Sequence, residues 1–152
     1  MRKPFLYLLA LTAIIVFNSC SKDDDPVTPP AKTIEELLSL NTWKLDEYRF
    51  VQNNAITYYK RGTTPNGIVY DADSIKLRSD FSGIYYNSAG NGNITWSFVD
   101  AEKTKIKLNL PNNFTVNWEN MFVTETTLYY TEYFVIPNTI TNSVGAAHRT
   151  KR

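Results

Sequence analysis

The sequence predicts an all-β chain: an antiparallel up-and-down meander of about eight to ten strands closing into a barrel, with one short helix in front. Three observations carry this reading. From Asn41 onward apolar residues recur with period 2, so most segments have one apolar and one polar face. Connections between these segments run about three to seven residues, whereas parallel strands need a dozen or more to cross over. Helical spacing is confined to one stretch, Thr33 to Asn41. A sheet with one apolar face must bury it, and closure does so most economically for this many strands. A two-sheet β-sandwich is the alternative that alternation leaves open.

The first twenty residues differ from the rest. Met1, Arg2 and Lys3 precede an uncharged apolar run from Pro4 to Phe17, which Asn18, Ser19 and Cys20 then interrupt. A basic start, an apolar segment of about 7–15 residues and a small residue before the cut describe a secretory signal peptide, here residues 1–19. A membrane-spanning helix needs about 20 apolar residues, more than this run offers. Phe17-Asn18-Ser19-Cys20 resembles a bacterial lipobox, in which the Cys thiolate takes diacylglycerol and Ser19 supplies the small neighbour that the peptidase needs. The resemblance implies a lipid anchor at Cys20.

Residues 20–32 read as a tether. Ser21, Lys22, Asp23, Asp24 and Asp25 form a short acidic run, and Pro26-Val27-Thr28-Pro29-Pro30 continues as a Pro-rich spacer that cannot bury a core. Ser-Lys-Asp-Asp-Asp after the acylated Cys resembles the export signal of Bacteroidota surface lipoproteins. It implies a protein held in outer-membrane lipid through Cys20 and displayed at the cell surface, with the periplasmic face as the alternative. Several acyl chains at that Cys would anchor stably, where a single chain holds only marginally.

The domain proper is expected over 33–152. Thr33-Ile34-Glu35-Glu36 has the form of a capping box, and Ile34, Leu37 and Leu38 follow at helical spacing. So short a helix is unstable alone and is expected to lie as a lid on the sheet. Trp43, Leu45, Tyr48 and Phe50 then line a first strand, Ala55 to Lys60 a second, and Gly67 to Tyr70 a short third. Ile75 and Leu77 alternate with Ser74, Lys76 and Arg78. Asp80-Phe81-Ser82-Gly83 bends the chain into Ile84-Tyr85-Tyr86, and Asn87 to Asn93 is a turn. Ile94, Trp96 and Phe98 form the next strand, and Ile106, Leu108 and Leu110 the most regular one. Val116, Trp118 and Phe122 mark another, Leu128 to Ile136 the next, and Asn142 to Arg149 a final one.

These segments carry a resemblance. Trp43 early in the first strand, the Ile75 to Tyr85 hairpin, Thr95-Trp96-Ser97-Phe98, Lys105-Ile106-Lys107-Leu108 and the closing Leu128-Tyr129-Tyr130 resemble the small lipocalin-like lipoproteins of the same bacterial group. Asn41-Thr42-Trp43 stands where those usually read Gly-x-Trp, and Asp80-Phe81-Ser82-Gly83 where they read Phe-x-x-Asp-Gly-x-Gly. The resemblance spans residues 33–136. It implies a lipocalin-like barrel and, by analogy, binding of a small or apolar ligand.

Candidates for the barrel interior and its ligand are Trp43, Trp96, Phe98, Trp118, Phe122 and Tyr130, with Phe134 beside them. Aromatic side chains fill a core or line a pocket equally well. The pairs Tyr58-Tyr59, Tyr85-Tyr86 and Tyr129-Tyr130 should each turn one ring outward, where rings can stack on a glycan. A filled barrel that meets protein or glycan through its outer face is thus the rival reading.

Charge and composition narrow the classes. Lys and Arg total 16 against 15 Asp and Glu, a formal charge of +1, and removing residues 1–19 takes Arg2 and Lys3 and leaves 14 against 15. No basic stripe accompanies the aromatic residues, so nucleic acid is not an expected partner. One Cys forms no intramolecular disulfide, and one Cys with one His builds no zinc site without borrowed carboxylates. His148 is expected in an exposed tail without a nucleophile near it. Asp71, Asp73 and Asp80 lack calcium-loop spacing and read as turn residues. No catalytic residue, metal or cofactor is therefore assigned. Asp73-Ser74-Ile75 resembles the three-residue O-glycosylation motif of exported proteins in this group, which points to Ser74.

Overall fold

The computed structural model describes residues 30–52, 54–63, 70–135 and 143–151. The expected signal peptide, Cys20 and the acidic run Ser21 to Asp25 lie outside the described residues, as do residues 67–69 of the expected short strand.

Helix α1 (Ile34–Leu40) starts where the capping box places it. The Thr33 backbone N–H donates to Glu36 Oε2 at 2.7 Å, and Glu36 N–H donates to Thr33 Oγ1 at 3.2 Å. Seven residues do not sustain a helix in water, so tertiary contacts hold it. Leu38 is wholly buried, and the Trp43 indole N–H donates to the Leu38 carbonyl at 2.8 Å, occupying a helix-end acceptor that has no partner within the helix. Lys76 Nζ donates to the Ser39 carbonyl at 3.0 Å and occupies another.

Nine strands follow: β1 (Thr42–Gln52), β2 (Ala55–Lys60), β3 (Ser74–Leu77), β4 (Ser82–Asn87), β5 (Gly90–Phe98), β6 (Ile106–Asn109), β7 (Thr115–Val123), β8 (Thr127–Val135) and β9 (Ser143–Lys151). Each pairs antiparallel with its neighbours in the order β2-β1-β3-β4-β5-β6-β7-β8-β9, and β1 also pairs with β9. Along one edge β1 meets β3 through Thr42 to Lys44 and β2 through Glu47 to Gln52. Along the other it runs against β9 from Trp43↔Lys151 to Val51↔Val144. The result is a closed eight-stranded antiparallel barrel, with β2 as an extra strand against the far half of β1. The sandwich alternative is thereby set aside, because one continuous sheet returns to its own first strand.

Two irregularities set which side chains point inward. The β1–β9 register shifts between Leu45 and Glu47, so Trp43 and Leu45, then Tyr48 and Phe50, all face the interior. In β7 the register with β8 shifts between Glu119 and Phe122, and Asn120 takes a left-handed conformation with φ 53°. Val116 and Trp118 point inward before this bulge, and Met121 and Val123 after it. Phe122 consequently turns outward and is 61 % exposed. Its expected interior position is corrected by one inserted residue, which inverts the alternation for the rest of the strand.

α1, the β3–β4 turn, the β5–β6 turn and the β7–β8 turn gather at one end. Here Leu38, Trp43, Leu77, Ile106 and Leu128 are all completely buried, each aliphatic side chain among them contributing about 2 kcal/mol by leaving water. The β4–β5 turn and the short 3₁₀ turn Pro111–Asn113 lie at the other end, toward which β8 runs and from which β9 returns.

Candidate functional site

Strand alternation carries four residues of β8 into the barrel: Leu128, Tyr130, Glu132 and Phe134. Glu132 is therefore a carboxylate at a core position, 9 % exposed. Opposite it in register is Gly145 of β9, and further along β9 Arg149 faces inward and is 4 % exposed. Asp73, just before β3, is 5 % exposed and completes a group of three buried ionisable side chains.

Their partners are largely aromatic. Glu132 accepts from the Tyr48 hydroxyl at 3.0 Å and from the Trp118 indole N–H at 2.7 Å. Arg149 Nε donates to the Tyr130 hydroxyl at 2.6 Å and Nη1 donates to the Trp43 carbonyl at 3.3 Å. Arg149 Nη1 also stands 2.7 Å from Asp73 Oδ1, an ion pair without an aligned hydrogen bond, while Asp73 Oδ2 accepts from the Tyr85 hydroxyl. Trp118 and Tyr130 stack at 3.8 Å between centroids, and the guanidinium lies 5.8 Å from each ring. Gly145 makes this packing possible. A β-carbon there would come within 2.5 Å of the Tyr48 hydroxyl oxygen and 2.6 Å of its ring.

Electrostatics follow from the burial. Desolvation pushes the Glu132 carboxyl above its ordinary range, against the opposing pull of Arg149 and of the Trp118 and Tyr48 donors, while Asp73 adds to the rise. Burial works against the Arg149 charge too, yet Tyr130, Asp73 and Glu132 outweigh it and keep the guanidinium protonated. Burial and the nearby carboxylates raise the Tyr48 and Tyr85 phenols, so both stay neutral donors.

This network lines a cavity of about 120 Å³ in the half of the barrel away from α1. Leu45, Ile75, Leu108, Leu110, Val116 and Phe134 form its apolar walls, and Tyr48, Tyr70, Tyr85 and Trp118 its aromatic ones. Tyr85 and Leu110 also border a shallower depression at that barrel end, beside the β4–β5 turn and Pro111. A cavity of about 150 Å³ in another protein accepts benzene, so this smaller one sets a single ring as the upper limit.

The interior candidates divide accordingly. Trp118 lines the cavity and Tyr130 stands behind it, stacked on Trp118. Trp43 and Trp96 are buried in the half nearer α1, and Trp96 donates to the Arg78 and Ser82 carbonyls at 3.1 and 3.2 Å. Phe98 packs at the edge of the core against Trp96, and Phe122 is outside. Ser74 is 4 % exposed within β3, so the closed barrel offers its hydroxyl little access to a glycosyl transferase. The three loop aspartates do not converge. Asp71 accepts from the Tyr59 hydroxyl at 2.7 Å, Asp80 caps its own turn by accepting from Ser82 N–H at 3.0 Å, and Asp73 is the interior anion.

Two of the Tyr pairs split as alternation requires: Tyr58 and Tyr129 outward, Tyr59 and Tyr130 buried. His148 corrects a further expectation. It belongs to β9, the final strand expected near the end of the chain, rather than to an exposed tail, stacks on Tyr129 at 4.2 Å, and places Nδ1 3.4 Å from Asp46 Oδ2. Sequence reasoning missed Glu132 and Arg149. A signal for Glu132 was present, since it occupies the same alternation phase as Leu128, Tyr130 and Phe134.

Among the described residues no group of His, Cys, Asp and Glu could hold a metal ion, and no helix is long and apolar enough to cross a membrane. No family model, curated protein or solved structure matches the chain.

Proposed function

We propose that this chain is a lipid-anchored cell-envelope protein whose lipocalin-like barrel is a non-catalytic binding module for one small ligand. The observation that carries the binding role is the interior cavity of about 120 Å³, whose apolar walls are interspersed with fixed hydrogen-bonding groups. Its size limits the ligand to about one ring or a short branched chain, smaller than a fatty acid. The anchor rests on Cys20 at the end of the apolar run, and display at the outer-membrane surface on Ser21 to Asp25.

Each element has its own test. A single-ring neutral molecule such as benzyl alcohol should raise the unfolding temperature of the full chain. Val116→Phe, which fills the cavity, should abolish that shift; an unshifted melting curve at millimolar benzyl alcohol counts against a ligand site. Cys20→Ala should release the protein from the membrane fraction, and unchanged fractionation would remove the anchor. Alanines at Lys22 to Asp25 should end protease access on whole cells if the surface reading holds. An intact mass equal to the unmodified polypeptide would remove glycosylation at Ser74.

One observation favours the rival role, in which the outer face binds a protein or glycan. Phe122 and Tyr129 lie side by side on the outside, 6.4 Å between centroids, and Tyr129 extends the row to His148. Loss of glycan retention in a Phe122→Ala, Tyr129→Ala variant, with benzyl alcohol binding intact, would move the function to that surface.

A further inference from the structure

The lining of the cavity is unequal in charge. Among the described residues around it, Arg149 is the one cation and faces two carboxylates, Asp73 and Glu132, all three almost wholly withdrawn from water. Tyr48 and Tyr85 are neutral hydroxyl donors already committed to Glu132 and Asp73. No further positive group on the wall answers the second carboxylate. A buried charge without a counter-charge opposes folding, and Glu132 responds by holding its proton more tightly than an exposed carboxyl would.

Geometry adds two features. Asp73 Oδ1 is buried beside the cavity, paired by distance with Arg149 but accepting no aligned hydrogen bond. Aromatic rings surround the same space, and ring faces attract cations within about 6 Å. Tyr48 and Tyr70 meet edge to face at 5.6 Å, and Tyr70 meets Tyr59 in the same way at 5.4 Å. Arg149 already lies over Trp118 and Tyr130, so this interior stabilises one cation by the same means. An anionic ligand would bring a third negative charge. It would also compete for a guanidinium whose Nε and Nη1 are engaged by Tyr130, the Trp43 carbonyl and Asp73.

We infer that the cavity selects a small organic cation, a protonated amine or amidine of about six to eight non-hydrogen atoms in all, with Glu132 and Asp73 as counter-charges and the aromatic rings as walls. This rests on the reading of the barrel as a ligand site and adds the ligand's class.

Three ligands of nearly equal shape test it: benzylamine, benzyl alcohol and benzoate, each titrated calorimetrically into the full chain at pH 7. Benzylamine should bind at least about tenfold more tightly than benzyl alcohol, a difference of about 1.4 kcal/mol, and benzoate should bind most weakly. Glu132→Gln should remove most of that preference while benzyl alcohol binding persists. Asp73→Asn should weaken it independently and serves if the first variant fails to melt cooperatively. Equal affinity for amine and alcohol, tighter binding of benzoate, or a preference unchanged in both variants would overturn the inference and leave a ligand site standing. If none of the three binds, the ligand site itself falls.

Discussion

At the α1 end of the barrel, Leu38, Trp43, Leu77, Ile106 and Leu128 close the interior with no exposed surface at all. A few residues further along the same strands, Tyr130, Glu132, Trp118 and Arg149 hold a hydrogen-bonded cluster of charges beside a cavity. The first half is stabilised by burying apolar area, which needs no particular geometry beyond close packing. The second half carries groups whose desolvation opposes folding and whose benefit depends on every partner being in place. The difference teaches a division of labour: one half keeps the barrel closed, and its stability supports a polar, shaped space in the other.

Substitutions in each half should report that division. The largest effect is expected in the closed half. Trp43→Ala removes a wholly buried indole and the hydrogen bond that fixes α1, and should lower stability in urea by about 5 kcal/mol. Arg149→Leu leaves two buried carboxylates without their cation and should cost about 3 kcal/mol, the low end for a broken buried pair because Glu132 can take up a proton. Adding Asp73→Asn and Glu132→Gln to Arg149→Leu should recover much of that loss. A triple variant no more stable than Arg149→Leu would mean that packing, rather than charge, governs the second half. Gly145→Ala should cost about 2 kcal/mol by driving the Tyr48 ring off Glu132.

Smaller still is a dependence on pH confined to the second half. The folded-state pKa of Glu132 lies above its unfolded value, so the folded protein binds this proton more tightly. Its favourable contribution is present below the ordinary carboxylate range and is lost as pH rises through the folded value. Urea midpoints of the wild type, compared with those of Glu132→Gln, should therefore fall more steeply as pH is raised from acid to neutral. Parallel midpoint curves would show that burial does not raise this carboxyl. The smallest effect belongs to the rim of the closed half: Thr33→Ala removes the helix cap and should cost about 1 kcal/mol.

The two halves were also unequally legible in the sequence. Strand spacing, short connections and the capping box at Thr33 and Glu36 mark local geometry, and local geometry was enough for the barrel's order. In β1 the step from Leu45 to Tyr48 announces its own bulge, because polar Asp46 and Glu47 separate two apolar phases. In β7 the bulge at Asn120 is hidden, since Met121, Phe122 and Val123 are apolar in both phases. The charged cluster was harder. Asp73, Glu132 and Arg149 come from three distant segments, and each alone resembles a solvated strand or turn residue. The β8–β9 pairing brings Glu132 and Arg149 together and closure of β9 on β1 adds Asp73, so only their phase relative to Ile75, Phe134 and Ala147 hinted at an inward direction.

The seam between β1 and β9 bears on how fast the chain reaches this state. The Arg149 bond to the Trp43 carbonyl joins residues 106 positions apart, and no earlier strand supplies that cation. A folding chain must therefore hold Asp73 and Glu132 unanswered until its last strand arrives. Loop closure over such separations places barrels of this kind among the slower small folders, in the range of about milliseconds to seconds. During that interval the unpaired edges of β1 and β8 stand open, and the period of greatest exposure to aggregation ends with the arrival of nine C-terminal residues.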